Sequence, residues 1–515
     1  MRPRFDLRQL LRRDYWLAEE RSLVAAALTV GVLAGLAAAL LVWMIGGIAR
    51  ILPEAGGAGS APWWIILIPA AGGLVVGPIV TRAAPETRGH GVPEVMLAVA
   101  RHRGYIRARV ALLKALASAI SIGTGGSAGR EGPIVQIGSA VGSVVARGLR
   151  LNPELVRMFV ACGAAGGIAA SFNTPIAGVI FALEVILRDF AGRAFATVVI
   201  SAVTASVVSR SLLGQEAFFH VPKYALGSSW ELIPYVALGI VGAFVARLFV
   251  VTLYRTEDLF EDLPVPGSLK PALGGLLLGG LAWFLPEVLG TGHPAIERAL
   301  HGELLTGALV LLALGKIVAT SFTLGSGGSG GVFAPSLFVG AMLGGAFGHG
   351  VDRLFPVLGV EPGAYALVGM GVVFAGSTWA AISAILILFE MTRDYELILP
   401  MMVACVSAVI VAKQLAPDTV YTRKLRRRGI DLDETMEGPL SRIRVDEVMT
   451  RDVETIDVDT PLADLLRQVG SSDHSGFPVV DAAGRLQGII TYAELRDATA
   501  VAGEDTHFLI ASDVM

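Results

Sequence analysis

The sequence predicts an all-α polytopic membrane protein built of two repeated halves, followed by a small α/β domain. Three observations lead there. Hydrophobic residues fill 54% of the 515 positions and charged residues only 17%, a balance foreign to soluble enzymes of this length. Two segments, KALASAISIGTGGSAGREGP at 114–133 and KIVATSFTLGSGGSGGVFAP at 316–335, align end to end without a gap. Past Ala416 the chain becomes charged and alternating, the pattern of a separate soluble unit.

The apolar runs fall at Leu23–Ile48, Trp63–Val80, Met158–Leu187, Ala194–Leu212, Ile233–Tyr254, Leu273–Leu285, Leu304–Leu324, Phe333–Phe347, Ala364–Phe389 and Leu397–Ala412. Several contain Gly or Pro, or fall short of the roughly 20 residues that a straight crossing needs. Such breaks survive in lipid only where the freed backbone faces protein or a polar cavity. The 62 glycines fit the same picture, because small residues let helices pack closely in a membrane. The expected organisation is an N-terminal segment (1–21), a membrane domain (22–416, halves about 22–215 and 230–416), a helix and linker (417–440) and the soluble tail (441–515). Basic clusters at Arg2, Arg4, Arg8, Arg12 and Arg13 and at Arg423, Lys424, Arg426, Arg427 and Arg428 flank the membrane block. By the positive-inside bias they are topology anchors and place both ends in the cytoplasm of a cell-membrane protein.

A net charge of −3 gives no case for nucleic-acid binding. No cleavable signal peptide is evident, since the first apolar run lacks a small-residue cleavage pattern. Cys162 and Cys405 both sit in apolar runs, too few and too far apart for a metal site or a disulfide framework.

The duplication reaches beyond the glycine segments. GHGVPEV at 89–95 is echoed by GTGHPAI at 290–296, and SFNTPIAGVIFALE at 171–184 by STWAAISAILILFE at 377–390. Each half therefore has the same order of parts, and the order leaves open whether the halves run parallel or inverted. Repeats of this kind place a substrate site between them, at broken helix ends. Inside the match, Arg130 and Glu131 become Val332 and Phe333. One half therefore brings an ionisable group that the other lacks. A phosphate loop is excluded, because that motif needs Lys and then Ser or Thr after its last glycine, whereas Gly129 is followed by Arg130 and Glu131.

GREGP at 129–133, GHGVP at 89–93, GGVFAP at 330–335 and the tyrosine of DTVYTRKL at 418–425 together closely resemble the CLC family of chloride channels and chloride/proton exchangers. The resemblance spans the whole membrane block. It implies that the helix starts His90–Gly91, Gly132–Pro133 and Val332–Phe333, through the backbone N–H groups there (Pro133 itself has none), and the Tyr421 hydroxyl line chloride sites. It further implies that Glu131 is the gate, that Arg130 and Lys114 add positive field to the pathway, and that two subunits assemble, each with its own anion path. The chemistry agrees. Helix N-termini offer free N–H groups and about half a positive charge each, which replaces an anion's water without trapping it. Glycines let backbone approach the ion, and proline suits a first helical turn. A carboxylate beside those starts can take the halide's place and vacate it on protonation. The alternatives are an Arg130–Glu131 structural pair and, since Lys316 repeats Lys114, a structural lysine; Val332 and Phe333 can equally be core side chains.

Two departures limit the resemblance. His90 stands where the family usually has an anion-coordinating serine; a protonated ring would add positive charge, so anion affinity is expected to rise on acidification through His90. Val185 stands at the proton-relay position, where exchangers usually carry a glutamate and channels an apolar residue. Neighbouring Glu184 is turned about 100° away on a helix and matches Glu390, which favours a structural role. The expectation is passive chloride conduction, with a chloride/proton antiporter as the alternative and a nucleotide-sensing membrane protein as a remote third. The tail, with strand, turn, strand and helix through GFPVVDAAGRLQGIITYAELRDA at 476–498, resembles a CBS domain, a module that often binds adenine nucleotides. Thr491 and Glu494 are its candidate nucleotide contacts; no other cofactor and no metal is expected. DEVM at 446–449 is echoed by SDVM at 512–515, the start of a second copy.

Overall fold

The structure is a computed structural model; it describes residues 7–52, 62–190, 192–214, 219, 221, 222, 224, 228–432, 443–502 and 509–515. Arg2 and Arg4 of the first basic cluster, and linker positions 433–442, lie outside the described residues, as do the side chains of Arg8, Arg12 and Arg13. The chain divides into two compact units, Met1–Met436 and Glu437–Met515.

Among its described residues, the named elements of the first unit are all helical. Its first half runs α1 (Leu7–Ala49), α2 (Leu67–Pro78), α3 (Val92–Ala100), α4 (Ala108–Gly123), α5 (Glu131–Gly148), α6 (Pro153–Phe172), α7 (Pro175–Phe181) and α8 (Gly192–Leu213). The second repeats that order as α9 (Leu232–Asp262), α10 (Lys270–Phe284), α11 (His293–Leu300), α12 (Thr306–Gly325), α13 (Phe333–Leu354), α14 (Pro362–Thr378), α15 (Ala381–Thr392) and α16 (Ile398–Leu415), and a short α17 (Thr422–Arg427) follows. Among the described residues, seven helices are long and apolar enough to cross a membrane.

Two apolar runs that read as single spans are each two helices. α6 begins where Asn152 Oδ1 accepts from Leu155 N, and it ends at Asn173, left-handed at φ 61°. Pro175 then restarts the chain as α7. The repeat breaks at the same place: Trp379 takes φ 61° after α14, and α15 starts two residues on. A left-handed residue ends a helix by turning its amide back onto a late carbonyl, so hydrophobicity continues across a break that the backbone does not.

The glycines do their packing in matched pairs. A Cβ on Gly138 or on Gly163 would overlap the other's carbonyl oxygen, which welds α5 to α6; Gly340 and Gly369 do the same for α13 and α14. Backbone contacts this close exclude every larger residue, as expected for helices that associate in lipid by close contact.

In the second unit, α18 (Val445–Val448) is followed by β1 (Ile456–Asp457), α19 (Leu462–Gly470), β2 (Gly476–Val480), β3 (Leu486–Thr491), α20 (Tyr492–Ala502) and α21 (Ala511–Val514). The sheet order is β1-β2-β3, with β1 parallel to β2 and β3 antiparallel. Its core holds Ile456, Leu465, Phe477, Val479, Ile490 and Leu495. The period-two burial of β2 puts Phe477 and Val479 on the helix side. The SDVM echo packs onto this core through Val514, with Ala511 just before it.

Candidate functional site

Three helices begin at one place between the halves. Gly91, at φ 79°, leads into α3; Arg130 leads into α5; Val332 leads into α13. Their loops are stitched by backbone hydrogen bonds that cross from one half to the other. Gly89 N donates to Gly328 O at 2.9 Å, Gly129 N to Gly331 O at 2.8 Å and Gly331 N to Gly129 O at 2.6 Å. Gly129 and Gly331 are the same position of the repeat, so a residue pairs with its own counterpart. Self-pairing of that kind is the mark of a two-fold relation between the halves. Side chains obey the same relation: Ser118 bonds Ser329 at 2.9 Å, and Ser127 bonds Thr320 at 3.1 Å.

Lys114 is wholly buried, and its Nζ donates to Thr87 O (2.9 Å) and Gly89 O (2.7 Å). Lys316 does the same to Val288 O (2.9 Å) and Gly290 O (2.7 Å). The lysine therefore clamps the loop before α3 or α11 in each half. The matched clamps in the two halves show that the lysine holds backbone at both places.

Glu131 is 3% exposed, and its Oε2 accepts no hydrogen bond. A Cβ on Gly129 would overlap that oxygen and stand 3.0 Å from Ala334 N. The carboxylate of α5 is thus turned to the start of α13, toward Ala334 N. Gly132 is required here, because a side chain would strike the His90 carbonyl. Arg130 points elsewhere and donates to Ser171 O at 3.0 Å. The side chain of Phe333 packs against Phe172 and Phe374, at ring distances of 5.1 and 4.4 Å, which leaves its amide for the site. The buried ring of Tyr421 lies 5.9 Å from that of His90.

The His90 ring is oriented by a residue that no sequence motif singles out. Tyr254 of α9 donates its hydroxyl proton to Val420 O at 2.7 Å, so in the 3.3 Å contact with His90 it is Nε2–H that donates. Nδ1 stays buried with no partner. Gln136 and Lys424 escape the motifs too. Gln136 Nε2 donates to Glu86 O at 2.8 Å, while Lys424 Nζ holds Arg88 O at 3.1 Å and lies 3.6 Å from Glu94. Lys424 reads as a topology anchor in sequence, since nothing local distinguishes it from its basic neighbours.

Val185 is 6% exposed and, with Tyr421, lines a cavity of about 190 Å³. Glu184 lines it as well, but its carboxylate accepts from Ser383 N (2.9 Å) and Ser383 Oγ (2.6 Å) at the start of α15. Glu390 accepts from Ile176 N (3.1 Å) and Ala177 N (2.7 Å) at the start of α7. The two repeated glutamates cap each other's half, each accepting from first-turn amides that have no partner within their own helix.

In the tail, Glu494 accepts from Thr491 N at 2.9 Å and from Thr491 Oγ1. This is the helix-start pairing of an N-cap threonine with an acid three residues on. It occupies both candidate nucleotide contacts with one another.

Residues 72–413 match the family described as voltage-gated chloride channel, and residues 445–500 match the CBS domain. The chain belongs to the voltage-gated chloride channel family, the CLC family. Its membrane unit is accordingly a CLC-type chloride transport domain in a multi-pass membrane protein. A Ralstonia nicotianae relative named as a ClcB-like chloride channel is 36% identical over 74% of this chain and 89% of its own length. The H(+)/Cl(-) exchange transporter ClcA of Vibrio parahaemolyticus is 37% identical over 71% of this chain and 80% of its own length. Among solved structures, a slow cyanobacterial Cl-/H+ antiporter superposes with a TM-score of 0.71 at 28% identity, covering 79% of this chain and 97% of the other.

Proposed function

We propose that this CLC protein exchanges chloride for protons, with Glu131 as the group that carries the proton at the anion site. The observation that carries this reading is the similarity to exchangers: relatives in Vibrio and Yersinia species at 35–37% identity bear the name H(+)/Cl(-) exchange transporter, and the cyanobacterial antiporter shares the fold. The buried Glu131 carboxylate facing α13 supports it, because a group that competes with the anion when charged and yields when neutral links the two ions. His90, Gly91, Gly132, Pro133, Val332, Phe333 and Tyr421 would line the anion path. Lys114 and Arg130 would set its field. Passive conduction, the expectation drawn from Val185, keeps one support besides that residue, the channel name of the Ralstonia relative.

Purified protein in liposomes decides between them. Under a pH gradient at equal chloride, exchange gives a reversal potential away from zero that tracks the gradient, and a reversal potential fixed at zero rejects it. Both termini are assigned to the cytoplasm and the working form to a homodimer on the arguments of charge bias and family resemblance. The tail is proposed as a regulatory module that binds adenine nucleotide; titration of flux with ATP, with and without residues after Arg444, tests that role.

A further inference from the structure

In an exchanger with valine at position 185, a proton entering on the Tyr421 side has no side-chain carrier at that position. Among the described residues, the acids lining the cavity shared by Val185 and Tyr421 are Glu184, Asp418 and Asp431. Glu184 is committed to capping α15. Asp431 is the more exposed of the remaining two, at 37% of its side chain against 14% for Asp418. Asp418 also stands three residues before Tyr421, in the turn where Thr419 Oγ1 accepts from Tyr421 N at 3.1 Å. Its Oδ1 is buried and accepts no hydrogen bond. Arg426 Nη1 approaches that oxygen to 3.1 Å as an ion pair, and Arg426 Nη2 lies 3.7 Å from Asp431. One arginine is thus shared between two carboxylates.

We propose that Asp418 carries protons between bulk water and the anion site, in place of the glutamate that position 185 lacks; the proposal rests on the exchanger reading above. With Arg426 turned to Asp431, the Asp418 carboxylate takes a proton from water and becomes the neutral acid. It then passes that proton through water in the cavity, past Tyr421, to the Glu131 carboxylate, and is an anion again. Chloride moves the opposite way. A polar cavity of about 190 Å³ is roomy enough for several waters. The charged and titratable groups around Asp418 are Arg426 on α17, Lys413 on α16, Arg188 and Glu184 after α7, Arg247 on α9, Asp431 and Tyr421. The cations among them draw chloride into the same mouth.

The test uses the full-length protein in liposomes, with chloride efflux and proton uptake recorded together. Asp418→Asn is expected to cut proton movement per chloride at least about tenfold, as loss of a general acid–base group does, while chloride efflux continues. Asp418→Glu is expected to keep proton movement. Should Asp418→Asn fail to assemble, Asp418→Ser gives the same reading with a smaller side chain. Wild-type coupling in either neutral variant overturns the proposal. An unmutated protein that moves chloride and no protons overturns the exchanger reading itself, and the two failures are thereby distinguishable.

Discussion

In the first half, Lys114 holds the carbonyls of Thr87 and Gly89; in the second, Lys316 holds those of Val288 and Gly290. Ser127 and Ser329, Gly125 and Gly327 (φ 97° and 101°), and Glu184 and Glu390 likewise do matching work on the two sides. At the helix starts the match ends, with Arg130 and Glu131 facing Val332 and Phe333. A rule for sorting the polar residues of a duplicated membrane protein follows. Those that recur hold the broken helices in place, and Glu131, which does not recur, is the acid proposed above to act on the ion.

Glu131→Gln challenges this division most directly. It should remove proton movement by about a hundredfold or more and flatten the pH response of chloride flux, measured in liposomes from acid to neutral pH. Strongly pH-gated flux in that variant would take Glu131 out of its role. Next come Lys114→Met and Lys316→Met. Each strands two buried carbonyls, at about 1–3 kcal/mol apiece, so both should lower the thermal midpoint in detergent by similar amounts. A loss of chloride affinity in Lys114→Met alone would show that its charge also serves the ion.

Glu184→Gln and Glu390→Gln should each cost about 0.5–2 kcal/mol, the scale of a lost helix cap, with ion coupling intact in both. Lost proton movement in Glu184→Gln would restore the acid to a relay role and count against Asp418. A smaller effect is expected from His90→Ser: with Nε2–H on Tyr254 and Nδ1 buried without a partner the ring is neutral, so chloride affinity shifts modestly while its pH dependence stays, and a weakened rise of affinity on acidification would show that the ring carries charge. The least effect lies in the tail. Hydrogen bonds from Thr491 hold the Glu494 carboxyl below its usual range. Their stabilisation is therefore present at neutral pH and disappears as the pH falls through the folded-state value. Glu494→Gln should remove that part of the acid sensitivity, as read by urea unfolding of the tail monitored in the full chain.

Membrane character, duplication, family and tail are all legible without coordinates, because each is written in local pattern: apolar runs, a gapless internal match, motif order and period-two strands. The Glu131 mismatch is legible too, since a difference inside a repeat is visible without a fold. The breaks within the runs at 158–187 and 364–389 needed the folded chain, because a left-handed Asn173 or Trp379 leaves the hydrophobicity unaltered. So did the reciprocal capping by Glu184 and Glu390 and the support that Tyr254 gives His90. Those partners lie 164 to 214 positions apart, and nothing in a local pattern records which distant backbone amide or hydroxyl a buried polar group will meet once two halves close around a two-fold.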